Sequence, residues 1–233
     1  MRRSVCVVSG VLVLGAVVPM GASATHQPNH NPGGQQPPSY QIPKPGPTPS
    51  LSLTAKPVTT IFQSATTLSG RLTASSRAGQ FVVLRADEYP FTGDAPVAVT
   101  RTASNGTYSF TRRPARNTLF RTTVFGIRSP VVRVNVRIRM SLSVSDSTPR
   151  VGQRVRFRGR ACPTHNGLLV RIQRRTRTGG YRTVRRTRLR AASRCALYRR
   201  TFRVYRDGRY RATADDADHA RGFSRSRVLD VHR

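Results

Sequence analysis

From residue 51 onward the sequence is written twice. The segment LSLTAKPVTTIFQSATTLSGRL (51–72) aligns without a gap on MSLSVSDSTPRVGQRVRFRGRA (140–161). Leu51, Leu53, Thr66 and Leu68 fall on Met140, Leu142, Val155 and Phe157, and Gly70-Arg71 falls on Gly159-Arg160. Further on, FVVLR (81–85) matches LVRIQ (169–173) loosely, and Phe120-Arg121 falls near Tyr210-Arg211. A repeat of roughly 90 residues has the length of a small domain, and each copy must then bury its own core.

The periodicity inside each copy selects strands. In the second copy, runs alternating in steps of two cover 140–144, 153–161, 168–175, 181–190, 196–205, 208–214 and 223–231. Breaks fall at Pro163–Gly167, Gly179-Gly180, Asp207-Gly208 and Asp215–Gly222. No window of useful length has helical periodicity. Seven short strands in roughly 90 residues predict an all-β sandwich. In the first copy, Ser104-Asn105-Gly106 reads as a hairpin turn. Between the copies every even residue from Val132 to Val144 is apolar, with no Gly or Pro among them. The last strand of the first copy is therefore predicted to run straight into the first strand of the second, through a short, stiff junction. The boundaries expected are 51–138 for the first sandwich and 139–233 for the second.

What precedes the repeat is not a domain. Arg2 and Arg3, the apolar run Val5–Val18 and the small residues Ala22-Ser23-Ala24 have the order of an export signal. The apolar run falls short of the roughly 20 residues that span a membrane, so residues 1–24 are expected to be removed, leaving no membrane span. Residues 25–50 hold 8 of the 16 prolines and almost nothing that packs, which predicts a disordered Pro-rich tether. Removal of the signal removes Cys6. Cys162 and Cys195 remain, and an even number in an oxidising compartment reads as one disulfide.

NGTYSF (105–110), NTLFRTTV (117–124), VGQRVRFRGRACP (151–163) and DGRYRATADD (207–216) carry a resemblance. The chain over 51–233 resembles the tandem immunoglobulin-like modules, fibronectin-III-like or carboxypeptidase-regulatory-like, of secreted actinobacterial proteins. The resemblance implies a fold and little about function, since such modules serve as spacers, adhesins or binding domains. In such a sandwich the second and fifth strands are antiparallel neighbours. Cys162, just past the second, and Cys195, just before the fifth, would then meet.

No catalytic set emerges from the remaining residues, so the chain is not expected to be an enzyme, and no cofactor is assigned. His26 and His30 lie in the tether, His165 and His219 in turns, and His232 at the end. Asp87-Glu88 falls in a predicted loop without a partner for glycosidase work. The aspartates of Asp215-Asp216-Ala217-Asp218-His219 are expected to pair with arginines such as Arg209 and Arg221 rather than to hold a divalent cation, and no metal site is assigned.

The charge is the remaining signal. The formal net charge is +32, and 39 of the 41 basic residues are arginine. Codon usage in a GC-rich genome would raise arginine content everywhere, so the distribution matters more than the total. Residues 51–139 carry 13 basic and 3 acidic residues; residues 140–233 carry 25 and 6. Arg154, Arg156, Arg158 and Arg160 alternate with inward Val155 and Phe157, which sends the arginines outward about 6.7 Å apart. Arg199 and Arg203 on the fifth strand should share that face. The matching residues of the first copy are Ala65, Thr67, Ser69 and Arg71. With no Trp, and with Phe157, Phe202 and Tyr210 facing inward, sequence-specific nucleic-acid reading is disfavoured. The expected function is a secreted, non-enzymatic binding or spacer module held by that face on anionic polymers: cell-wall phosphate polymers, acidic polysaccharide or, without sequence preference, nucleic acid. The alternative is a structural or protein-binding module, adhesin-like, with no polyanion role. The export signal makes the first prediction: mass spectrometry of the secreted chain should find Thr25 at its N-terminus, and an intact Met1 in purified membranes would mean an uncleaved anchor.

Overall fold

The computed structural model describes residues 48–233; the expected export signal, 1–24, and residues 25–47 of the expected tether lie outside the described residues, and Ser50, counted with the tether from the sequence, is in the first strand. The described residues contain strands and no helix. In the first half they are β1 (Ser50–Leu51), β2 (Thr54–Lys56), β3 (Thr59–Ile61), β4 (Thr66–Thr73), β5 (Phe81–Glu88), β6 (Ala95–Arg101), β7 (Thr107–Arg112), β8 (Thr118–Val124), β9 (Ile127–Arg128) and β10 (Val132–Arg137). In the second they are β11 (Arg139–Met140), β12 (Ser143–Val144), β13 (Arg154–Cys162), β14 (Leu169–Arg175), β15 (Tyr181–Arg188), β16 (Ala196–Arg203), β17 (Gly208–Ala214), β18 (Gly222–Phe223) and β19 (Arg227–Leu229).

Each half builds two sheets with one plan. In the first, β1 and β2 flank β4, which pairs with β7, and the facing sheet runs β3-β10-β8-β5-β6. In the second, β11 and β12 flank β13, which pairs with β16, and the facing sheet runs β15-β14-β17, with β18 and β19 beyond. Two tandem immunoglobulin-like sandwiches result. One core centres on Leu68, Leu72, Val82, Leu84 and Val134, the other on Val155, Phe157, Val170, Ile172 and Leu229. Full burial of a side chain such as Phe157 contributes about 1.5–3 kcal/mol. Tyr210, at the start of β17, donates its hydroxyl to Arg206 O at 2.8 Å, the corner bond that fixes the turn into this strand in many immunoglobulin-like domains.

Three sequence expectations change in detail. The Asn105-Gly106 turn forms, with Gly106 at φ +84°, but it is not a hairpin: β6 pairs with β5 and β7 with β4, so the turn carries the chain from one sheet to the other. Turn chemistry reports a reversal and not which strands it joins. Asp87 and Glu88 end strand β5 rather than occupying a loop, and Asp87 Oδ1 accepts from Gly93 N at 3.2 Å. The run Val132–Val144 keeps its alternation but is divided into β10, β11 and β12. Val134 belongs to the first core, whereas Ile138, Met140 and Leu142 belong to the second.

The disulfide is as the strand order implies. Cys162 and Cys195 are bonded, their Cα atoms 4.4 Å apart, at the end of the β13–β16 ladder beyond Ala161↔Ala196. The bond closes a separation of 33 residues, which contributes about 3–4 kcal/mol by loop entropy.

One device recurs in both sandwiches. At Gly70 and Gly159 the first strand crosses so closely that an added Cβ would overlap Ser52 O and Ser141 O. The same space admits a tyrosine hydroxyl from β7 in the first sandwich and β16 in the second: Tyr108 donates to Ser52 O and Tyr198 to Ser141 O. Ser52 Oγ and Ser141 Oγ in turn accept from Arg71 N and Arg160 N at 3.0 Å. Burial raises the pKa of both phenols, so they remain donors. Tyr198→Phe should cost about 1–2 kcal/mol, and Gly159→Ala about 3 kcal/mol, measured by chemical denaturation. Equal stability of Gly159→Ala and the parent would show that the crossing is not fixed.

Candidate functional site

The arginine face has the geometry that its alternation implies. Arg154, Arg156, Arg158 and Arg160 on β13 and Arg199 and Arg203 on β16 are all exposed. The register sets Arg154 opposite Arg203 and Arg158 opposite Arg199, with Arg156 opposite Thr201 and Arg160 opposite Leu197. Among the described residues none of the six forms an ion pair with a carboxylate. Two like-charged pairs thus stand directly opposite each other, an arrangement that costs stability in a sheet.

The six do not form one cluster. Arg158, Arg160 and Arg199 line a cleft of about 820 Å³ between this sheet and the end of β15, whereas Arg154, Arg156 and Arg203 lie outside it. The far wall supplies Arg188 and Arg190, and Arg200 joins them, so six arginines line the cleft. These three were not expected from the ladder, because strand periodicity reports facing on one strand and not which edge closes over it. The wall is tied in place by an Arg190↔Leu197 bridge and by Thr187 Oγ1, which donates to Arg199 O at 3.2 Å.

The first sandwich has a cleft at the matching place, about 670 Å³, lined by Ser52, Gly70 and Tyr108 where the second has Ser141, Gly159 and Tyr198. Its only arginine is Arg101; Ser69 and Ser109 occupy the positions of Arg158 and Arg199. The backbone frame is shared and the charge is not.

The acidic loop between β17 and β18 divides its aspartates. Asp215 pairs with Arg171 Nη1 at 2.6 Å and Arg221 Nη2 at 3.1 Å. Burial alone would raise its pKa, but the two guanidiniums outweigh this and hold it below the usual carboxylate value. Arg221 is thus a partner as expected and Arg209 is not; its place is taken by Arg171, which lies on the neighbouring strand β14 and reaches the loop across the sheet. Asp216 and Asp218 turn toward His165 and His219, and Asp218 also pairs with Arg116 Nε at 4.0 Å.

No family model matches this sequence, and no curated protein does. Among solved structures, a DUF4785 family protein from Legionella pneumophila subsp. pneumophila str. Philadelphia 1 superposes at a TM-score of 0.40 with 13% identity over 70% of this chain. The match takes in 51% of that protein, so the present chain accounts for about half of it. The ectodomain of the teleost fish polymeric Ig receptor superposes at 0.32 with 10% identity, over 77% of this chain and 98% of that one. Among the described residues no helix is long and apolar enough to cross a membrane.

The facing pair Arg158 and Arg199 yields a stability prediction. Arg158→Gln should stabilise the protein by about 0.2–1 kcal/mol at low ionic strength, and the gain should shrink as salt screens the pair. Denaturation at two salt concentrations reads both effects; a loss of stability at low salt would mean that the arginines are not in repulsion.

Proposed function

We propose that this chain is a secreted, non-catalytic binding module that holds phosphate- or carboxylate-rich polymers in the arginine cleft of its second sandwich. The observation that carries the reading is the contrast between the two clefts: six arginines line one, and one lines its duplicate on the same backbone frame. Both copies share one gene and one codon usage, so a general excess of arginine does not account for the difference. Six guanidiniums around one cavity without a carboxylate among its lining residues suit bidentate contacts to phosphate or carboxylate. Arg154, Arg156 and Arg203 would extend the contact along the open sheet. The disulfide and the export signal agree with a location outside the cytoplasm, where wall phosphate polymers and acidic polysaccharides are the polyanions at hand.

Binding of this kind is dominated by counterion release, so affinity should fall steeply with salt, with a log–log slope near −0.9 per phosphate contact on duplex DNA. Using the full chain with polyphosphate and duplex DNA as probes, the combined change of Arg158, Arg160 and Arg199 to Gln should weaken binding and flatten the slope on DNA by about 3. Arg101→Gln, in the cleft of the first sandwich, should change the slope by no more than one contact. Unchanged binding by the triple variant would refute the cleft as the site, and no binding of either probe by the parent chain would leave the module as a structural or protein-binding unit.

A further inference from the structure

Four ligand-type side chains from two loops meet where the two sandwiches join. His165 comes from the β13–β14 loop; Asp216, Asp218 and His219 come from the β17–β18 loop. One ligand atom from each of the four lies within 4.8 Å of every other. The loop that presents them is bonded to the first sandwich: Asn117 N donates to Asp218 O at 2.9 Å, and Ala220 N donates to Val136 O at 2.8 Å. His219 N donates to Asp216 Oδ1 at 2.8 Å, which sets the turn itself.

His219 is the deciding residue. Its side chain is 1% exposed. Its Nε2 lies 2.9 Å from Ala115 O of the first sandwich. A carbonyl only accepts, so Nε2 carries a ring proton and, in the neutral imidazole, Nδ1 is a lone pair. Burial opposes charging the ring, but Asp216 and Asp218 outweigh it and raise its pKa, so a proton on Nδ1 is what a metal ion would displace. That nitrogen is buried and has no hydrogen-bond partner. It stands 3.0 Å from Asp218 Oδ1 and 3.4 Å from Asp216 Oδ1, yet neither contact has the direction of a hydrogen bond. His165 Nε2 repeats the pattern, 3.3 Å from Asp216 Oδ2, buried and without a hydrogen-bond partner. Two imidazole nitrogens and two carboxylates converge with no hydrogen bond joining them. The carboxylates have other partners, Asp216 Oδ1 in His219 N and Asp218 in Arg116 at 4.0 Å, but the two imidazole nitrogens have none. Leaving them unsatisfied away from water is costly, and a cation among the four ligands would satisfy both.

We propose that His165, Asp216, Asp218 and His219 form a binding site for a divalent transition-metal ion, best suited to Zn2+, which fastens the β17–β18 loop of the second sandwich at the junction with the first. Two imidazoles and two carboxylates supply the four ligands and the two negative charges that Zn2+ takes in closed, structural sites. Ca2+ is a poorer fit, since it takes six to eight oxygens. The bond from His219 Nε2–H to a backbone carbonyl is the outer contact that orients metal-binding imidazoles and selects the ligating nitrogen. Because that carbonyl belongs to the first sandwich, the ion would tie the two sandwiches together through His219.

The test uses the full chain with its disulfide intact, stripped with chelator and titrated with Co2+, then with Zn2+. The expected result is one ion per chain, a visible absorption band of four-coordinate Co2+ that Zn2+ abolishes, and a rise in Tm with Zn2+. His165→Ala, in a partly exposed turn outside the inter-sandwich hydrogen bonds, should keep the fold and lose the band and the Tm rise. Asp218→Asn should do the same without changing side-chain size. Joint replacement of His26 and His30 by Ala should leave the band in place, which separates the site from adventitious binding in the tether. Failure to bind one ion per chain, or a band that survives in both His165→Ala and Asp218→Asn, would overturn the proposal.

Discussion

In each sandwich the first strand is pressed onto the second at a glycine, and a tyrosine hydroxyl, from β7 in one and β16 in the other, closes the gap against a first-strand carbonyl. Three strands are thereby fixed against one another at a single point. Because side chains alternate with a period of two, one fixed point in the register decides the facing of every other residue on those strands. The inward positions are then committed to apolar side chains in both copies. The outward ones are free, and there the copies diverge: Thr67 and Ser69 in one, Arg156 and Arg158 in the other. The cleft beside the tyrosine is a by-product of the same crossing, which is why both sandwiches have one.

The junction rests on a different set of bonds. Asn117 is 4% exposed; its side chain accepts from Val136 N, its backbone N–H donates to Asp218 O, and its carbonyl accepts from Tyr89 N. Arg139 adds two bonds from its guanidinium to Phe62 O. The β17–β18 loop of the second sandwich lies along the connecting segment, where Gly222 permits the close approach of Ile138. The two domains are therefore joined by hydrogen bonds as well as by the chain.

Much of the fold was legible because alternation is a local signal. The strands of the second copy and the outward arginines of β13 follow from alternation, and the meeting of Cys162 with Cys195 follows from the strand order that the immunoglobulin-like resemblance implies. What escaped depends on contacts between elements that no local pattern reports. Asn105-Gly106 reads the same whether the strands beside it pair or part. Arg188, Arg190 and Arg200 join Arg158 only because the end of β15 folds over β16. His165 and His219 look like isolated turn residues until two loops at one end of the sandwich bring their rings to 5.1 Å. The bond of Tyr198 to Ser141 O depends on how near the first strand passes.

The disulfide also bears on how the molecule reaches this state. The central pairing of each sandwich, β4 with β7 and β13 with β16, joins segments far apart in the chain. Such non-local ladders form slowly, since the loop between them must close before any contact rewards it. In the second sandwich a bond between Cys162 and Cys195 closes that loop covalently and holds the first rung, Ala161 opposite Ala196, in reach. The first sandwich has no such aid and must find its pairing by diffusion. Once the cysteines are oxidised, the half of the molecule that leaves the ribosome last has the shorter search.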